Sequence, residues 1–193
     1  EIAAGIARLE RRVGHRFGDP ADPLLVSVRS GAPVSMPGML DTVLDLGLGP
    51  AAVEGLAKTH GDDRFALDAR RRFLSQFAEV VLGIDGASVE ADLAEARRRA
   101  GVTLDAALDA SQLAQLVAEL EARIRATGAS VPADPMGQLH AAIDAVFRSW
   151  WSPRAVAYRA HEQIPDDLGT AVNVQAMVFG NRDDRSGTGV AFS

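Results

Sequence analysis

Arg29 closes a short apolar run rich in β-branched residues, Leu24 to Val28 (LLVSV), and is followed at once by Ser30 and Gly31. An arginine ending a buried strand points at whatever sits on the sheet's edge, and its planar guanidinium fork suits a phosphate. The plainer alternative is a surface salt bridge. Residues 29–40 (RSGAPVSMPGML) crowd glycine, serine and proline. They read as a mobile loop that could close over a ligand held by Arg29.

A second arginine group, Arg70, Arg71 and Arg72, precedes Phe73. Three consecutive helical residues span about 200° of the helix, so at least one can turn away from open solvent. The competing view is a solvated charged face. The similar run Arg97 to Arg99 precedes Gly101, and there the helix dipole alone accounts for it. Gln175 to Val178 could offer backbone groups to a ligand, although an ordinary buried strand fits the same pattern. The pair Trp150–Trp151 reads as helix-end packing. His15, His60, His140 and His161 fall at no metal-ligand spacing and read as packing or surface residues. The chain contains no GxxxxGK[ST], GxGxxG or nucleophile-elbow pattern.

These residues need elements to position them. Residues 1–17 read as a helix through Ile2, Ile6, Leu9 and Val13, broken by Gly18, Asp19, Pro20 and Pro23. The Leu24–Val28 run reads as a buried strand. Residues 41–160 read as almost wholly helical, with three apolar stripes. The stripes are Phe73, Phe77, Val80, Val81 and Ile84; Leu113, Leu116, Val117, Leu120 and Ile124; and Leu139, Ile143, Val146, Phe147 and Trp150. Asp109 with Gln112 suggests a capping box, and Asp134–Pro135 and Ser152–Pro153 place caps before proline. Gly101 and Gly128 mark helix ends. Thr170 to Phe179 alternates, with Val172, Val174, Ala176 and Val178 on one side. A polar turn at 180–187 and a second strand from Thr188 to Phe192 would complete a β-hairpin. The fold class expected is α+β: a mostly helical block inserted between a short strand and a C-terminal hairpin. The division expected is 1–40 with 161–193 as a partial α/β subdomain, and 41–160 as a helical one.

The bulk properties bound the function. The chain has 193 residues, no cysteine, 47% apolar and 24% charged residues, and a net charge of −6. That length supports a sizeable core without staples. Disulfides and thiolate metal sites are excluded, and the acidic balance argues against general nucleic-acid binding. No apolar run approaches the roughly 18 residues of a membrane span, and the first residues form no signal peptide. Absence of cysteine fits a cytoplasmic protein. The chain starts at Glu1 rather than Met, as a segment of a longer polypeptide would.

Four stretches carry a family resemblance: PLLVSVRSGAPVSMPGMLDTVLDLGL (Pro23 to Leu48), RFALDARRRF (Arg64 to Phe73), DPMGQLHAAIDAVFRSWWSPRAVAYR (Asp134 to Arg159), and GTAVNVQAMVFGN with SGTGVAF (Gly169 to Phe192). In this order they closely resemble the nucleotide-binding domain of pyruvate, phosphate dikinase, across nearly the whole chain. Phosphoenolpyruvate synthases share the VRS core but diverge in the SMPGM loop and the helical block. The resemblance implies an ATP-grasp-like fold. It also implies an enzyme that converts ATP, phosphate and pyruvate to AMP, pyrophosphate and phosphoenolpyruvate through a swivelling phosphohistidine domain of the same polypeptide. It implies Mg2+ with ATP, and a homodimeric parent. By motif, Arg29 and Arg72 would contact nucleotide phosphates, and Gln175, Met177 and Val178 would line the adenine pocket. Ser35 and Gly38 would belong to a flexible loop over the phosphates. No residue of the chain is assigned as catalytic or as a metal ligand. The family's Gly/Lys segment would lie before Glu1, and its acidic metal-binding strands after Ser193. The alternative is a non-catalytic nucleotide- or partner-binding module of the same fold.

Overall fold

The computed structural model describes residues 1–182 and 185–189. The chain opens with helix α1 (Ile2–Val13), which stops at Gly14 in a left-handed conformation with φ of 83°. It ends four residues before the expected boundary, because Arg16–Phe17 is a short strand, β1, parallel to β2 (Pro23–Leu24). The expected Leu24–Val28 strand is thus split. Its second part, β3 (Val26–Gly31), is the middle of a three-stranded antiparallel sheet.

One partner of β3 is β5 (Ala171–Ala176), paired without a break from Val26 opposite Ala176 to Gly31 opposite Ala171. The other is β4 (Thr42–Leu46). This strand corrects the all-helical expectation for 41–160, and the helical run starts at Pro50 instead. The six residues between the 32–40 loop and Gly47 are too few for a stable helix, and Thr42 and Val43 suit a pleated edge. The register slips between Val26–Leu46 and Val28–Val43, which inserts one extra residue into β4. Within this bulge Asp45 takes a φ of 56°.

The expected hairpin falls partly outside the described residues. Among the described residues β5 pairs with β3 alone. Thr188 and Gly189 form no strand, and Val190 to Phe192 lie outside the described residues. The expected side-chain alternation carries on past the end of β5. Val172, Val174 and Ala176 pack on the main core, but Met177 and Phe179 pack on a second cluster with Leu25 and Phe65. Val178 is 83% exposed and stays out of the core. The Met177 N–H donates to the Leu25 carbonyl at 2.9 Å, the next pair in register, so the ladder runs one step beyond β5.

Helices α2 (Pro50–His60), α3 (Asp63–Gln76), α4 (Gly86–Ala100), α5 (Ala110–Ala126), α6 (Pro135–Ser149) and α7 (Pro153–Glu162) form the bulk. A π-turn, Phe77–Val81, continues α3. Phe73, Leu74 and Phe77 of this segment are fully buried among Leu113, Leu116 and Leu139. The punctuation is as the sequence implies. Asp109 and Gln112 form a reciprocal capping box, and Asp134 and Ser152 cap the starts of α6 and α7. Gly101 ends α4 in the left-handed region. Among the described residues no helix is long and apolar enough to cross a membrane.

Two helical glycines make a test of this packing. At Gly55 an added Cβ would lie 2.0 Å from the Pro20 carbonyl oxygen and 2.7 Å from that of Ala21. At Gly5 it would meet only the tip of Arg8, at 3.9 Å. Alanine in a helix is worth up to about 1 kcal/mol over glycine, whereas forced overpacking costs about 1–3 kcal/mol. Urea unfolding should therefore show Gly5→Ala stabilised and Gly55→Ala destabilised. Equal shifts of one sign would contradict the α2 contact with residues 20–21.

Candidate functional site

Arg29 lies within β3, two residues before its end and not at the end the sequence suggested, on the face opposite the core. The residues either side of it, Val28 and Ser30, are respectively fully buried and half-buried, and Arg29 itself is exposed. Among the described residues no carboxylate pairs with it, so a surface salt bridge does not explain its position. It lines a recess of about 410 Å³ with Ser30, Ser35, Gly38 and Thr42. The structure thus brings Arg29 and the Ser35–Gly38 segment together.

The loop beside Arg29 is anchored rather than loose throughout. Met36 is 8% exposed and packs in a small cluster with Trp150 and Ala155. The Arg154 Nε–H donates to the Met39 carbonyl at 3.1 Å, and its guanidinium pairs with Asp41. The Asp41 N–H donates to Ser149 Oγ at 3.1 Å. Trp150 is held in turn by Arg159, whose guanidinium lies 4.2 Å over the Trp150 ring and binds Asp166 at 2.7 Å. Pro33, Val34, Ser35, Pro37 and Gly38 are exposed, with Gly38 at a φ of 71°.

The triple arginine splits into two roles. Arg70 is buried, donating to the Leu48 carbonyl at 2.7 Å and to Glu121 at 2.8 Å. Arg71 is buried against Asp68 at 2.6 Å. Arg72 alone keeps its side chain 54% exposed, with Nε bonded to Asp68 at 2.9 Å. Sequence periodicity points to some asymmetry in this run, but the buried carboxylate that divides it is visible only in three dimensions. Arg72 does not line the Arg29 recess. The link between them is β4: Thr42 lines the recess, and Asp45 lies beside Arg72. Three residues of strand cover about 10 Å.

Asp45 escapes sequence reasoning entirely. It is 5% exposed, sits on left-handed backbone, and its carboxylate accepts no hydrogen bond among the described residues. Burial pushes its carboxyl up to about 6; Arg72 opposes the shift and Asp68 adds to it.

The three residues of the expected adenine pocket are not gathered in one place. Gln175 lies opposite Ser27 and is exposed. Met177 and Val178 line a separate cavity of about 480 Å³ with Leu25, His60 and Phe179. There His60 meets Phe65 edge-on at 5.4 Å, and its Nδ1 is buried without a partner. Burial lowers the His60 pKa, with Arg182 adding to the effect. No short motif marks His60, and it enters the cavity wall through tertiary packing. Among the described residues no group of three or more His, Asp or Glu side chains could hold a metal ion.

The Asp45 carboxyl makes stability depend on pH. Its folded value lies above the ordinary 3.8. Its contribution is fully present below the unfolded value and is lost as pH rises through about 6, where the buried charge costs at most about 3 kcal/mol. Asparagine stays neutral and tolerates left-handed backbone. The stability of Asp45→Asn relative to the parent should therefore rise between pH 4 and 7. A pH-independent difference in thermal midpoint would contradict a buried, titrating Asp45.

Comparison with known protein families matches residues 1–193 to the "Pyruvate phosphate dikinase, AMP/ATP-binding domain". The chain is 50% identical over its whole length to pyruvate, phosphate dikinase of Giardia intestinalis, covering 22% of that protein. It is 51% identical to the chloroplastic pyruvate, phosphate dikinase 1 of Arabidopsis thaliana, covering 20%. Against the Clostridium symbiosum pyruvate, phosphate dikinase it is 48% identical, covering 22%. The chain thus spans about a fifth of the length of these curated relatives. A match over all 193 residues, with relatives about half identical along the whole chain, puts this chain in the family of the pyruvate phosphate dikinase AMP/ATP-binding domain.

Proposed function

We propose that this chain supplies part of the ATP site of an enzyme that converts ATP, phosphate and pyruvate to AMP, pyrophosphate and phosphoenolpyruvate. The observation that carries the reading is the recess in which Arg29, without a carboxylate partner among the described residues, meets the exposed Ser35 and Gly38. Arg29 and Arg72 bind the phosphates, and Ser35 and Gly38 close over them. Gln175, Met177 and Val178 line the adenine pocket, which requires that Gln175 approach the Met177 cavity as the parts of the domain close. Residues 1–40 and 161–193 act as an α/β lobe of ATP-grasp type, and 41–160 as a helical lobe, with β4 hydrogen-bonded into the sheet.

The physical basis is charge neutralisation. Phosphoryl transfer asks a protein chiefly to position the reactants and to stabilise charge on phosphate oxygens. Charged guanidinium groups on two separate elements do both if those elements close around a triphosphate. Mg2+ accompanies ATP in this reading, with ligands drawn from residues other than these, and no step is routed through it. A phosphohistidine domain of the same polypeptide accepts the phosphoryl group, the parent is a homodimer, and the protein is cytoplasmic. Two of the relatives named above carry no compartment in their names, whereas the Arabidopsis thaliana one is chloroplastic.

In the full-length protein, Arg29→Ala and Arg72→Ala should each weaken the ATP half-reaction about 10- to 100-fold, since a hydrogen bond to a charged group contributes about 1.5–3 kcal/mol. The pyruvate half-reaction should be spared. Isotope exchange followed separately for ATP/AMP and for pyruvate/phosphoenolpyruvate checks this. Equal losses in both would refute the assignment.

A further inference from the structure

Asp68 stands out among the charged groups that carry no assigned role. Its side chain is 5% exposed, in the middle of α3. Its two oxygens are divided: Oδ1 takes Arg71 Nη2 at 2.6 Å, and Oδ2 takes Arg72 Nε at 2.9 Å. Arg71 is buried and lies 3.8 Å from Asp105 as well, so the inner half of this fork is fixed. The outer half holds Arg72 by Nε alone.

That choice of atom matters. A guanidinium has five N–H donors in a rigid plane, and a carboxylate at Nε uses one of them. The terminal Nη1 and Nη2 keep the remaining four. Among the described residues neither terminal nitrogen of Arg72 has a hydrogen-bond partner. A long side chain with high rotamer freedom is thereby held in one direction by its neck, with its two-pronged end left for a planar or tetrahedral anion. The i, i+4 spacing of Asp68 and Arg72 on α3 keeps the two side chains on one helix face.

We propose that Asp68 is the positioning residue for Arg72: it anchors Nε so that the Nη groups are presented, preorganised, to a nucleotide phosphate. The inference rests on the reading that Arg72 binds phosphate. Asp68 does not touch the ligand and acts only through the guanidinium. Ordering of Arg72 is complete before ATP arrives, so the affinity that would be lost in immobilising a free arginine is retained. Asp45, on the neighbouring bulge, adds a second carboxyl near the same guanidinium. It does not hydrogen-bond Arg72, so it sets the local charge and leaves the direction of Arg72 to Asp68.

The test is a double-mutant cycle in the full-length protein, reading KM for ATP, kcat and thermal midpoint together. Arg72→Ala should raise KM for ATP about 10- to 100-fold, and Asp68→Asn about tenfold, because a charge-assisted contact is loosened and not deleted. In the Arg72→Ala background Asp68→Asn should add nothing further to KM. A full additional effect there would show that Asp68 acts by another route, through Arg71 or the fold, and would overturn the proposal. Should Asp68→Asn fail to fold, Arg72→Lys decides the matter without touching the buried pair. Lysine keeps the charge but has no second nitrogen with which to be anchored, so its KM should approach that of Arg72→Ala. A parental KM for Arg72→Lys would overturn the anchoring. If Arg72→Ala itself leaves KM for ATP unchanged, the phosphate reading of Arg72 fails, and the positioning role fails with it. If Arg72→Ala raises KM while Asp68→Asn does not, only the positioning role fails.

Discussion

The pairing of β3 on both of its edges is the constraint on which the site depends. Its partners come from distant parts of the chain, β4 just after the loop and β5 beyond the whole helical block. Pairing with both sets the alternation: Val26 and Val28 enter the core at zero exposure, and Arg29 is turned outward. A register slip of one residue would bury Arg29 and expose the valines. The same pairing forces the bulge in β4 that turns Asp45 into left-handed backbone next to Arg72. The sheet register thus places Arg29 and brings Asp45 near Arg72, which α3 carries.

The second support is the way α3 handles its charges. Buried charge is costly unless paired and hydrogen-bonded. Arg70 and Arg71 meet that condition through Leu48, Glu121 and Asp68. Their pairing ties α3 to the end of β4 and to α5. Arg72 is one position further round the helix and escapes burial. Structure and candidate function thus lie side by side in three consecutive residues, and what separates them is which way each faces.

Much of the fold was legible because much of it is local. The caps at Asp109, Asp134 and Ser152 and the stop at Gly101 depend on neighbours within a few residues, and short-range chemistry predicts them. The heptad-like stripes through Phe73, Leu116 and Leu139 were equally plain. What stayed hidden depends on partners remote in sequence. Thr42–Leu46 carries too few residues to announce a strand, and only β3 makes it one. The anchoring of the Met36 loop comes from Trp150 and Arg154, more than a hundred residues away. Asp45 has no signature at all, since a left-handed aspartate at a bulge is a consequence of register. Arg29 and Arg72 were found by residue type and family resemblance; Asp68, which holds one of them, required coordinates.

The central claim is that Arg29 and Arg72 hold phosphate and do not merely support the fold. Calorimetric titration of the full-length protein with ATP and, separately, with adenosine tests it most directly, using the parent and the Arg29→Ala/Arg72→Ala double variant. The account predicts that the double variant loses affinity for ATP while its affinity for adenosine stays at the parental value. Parental affinity for ATP in the double variant, or equal loss for both ligands, would contradict it.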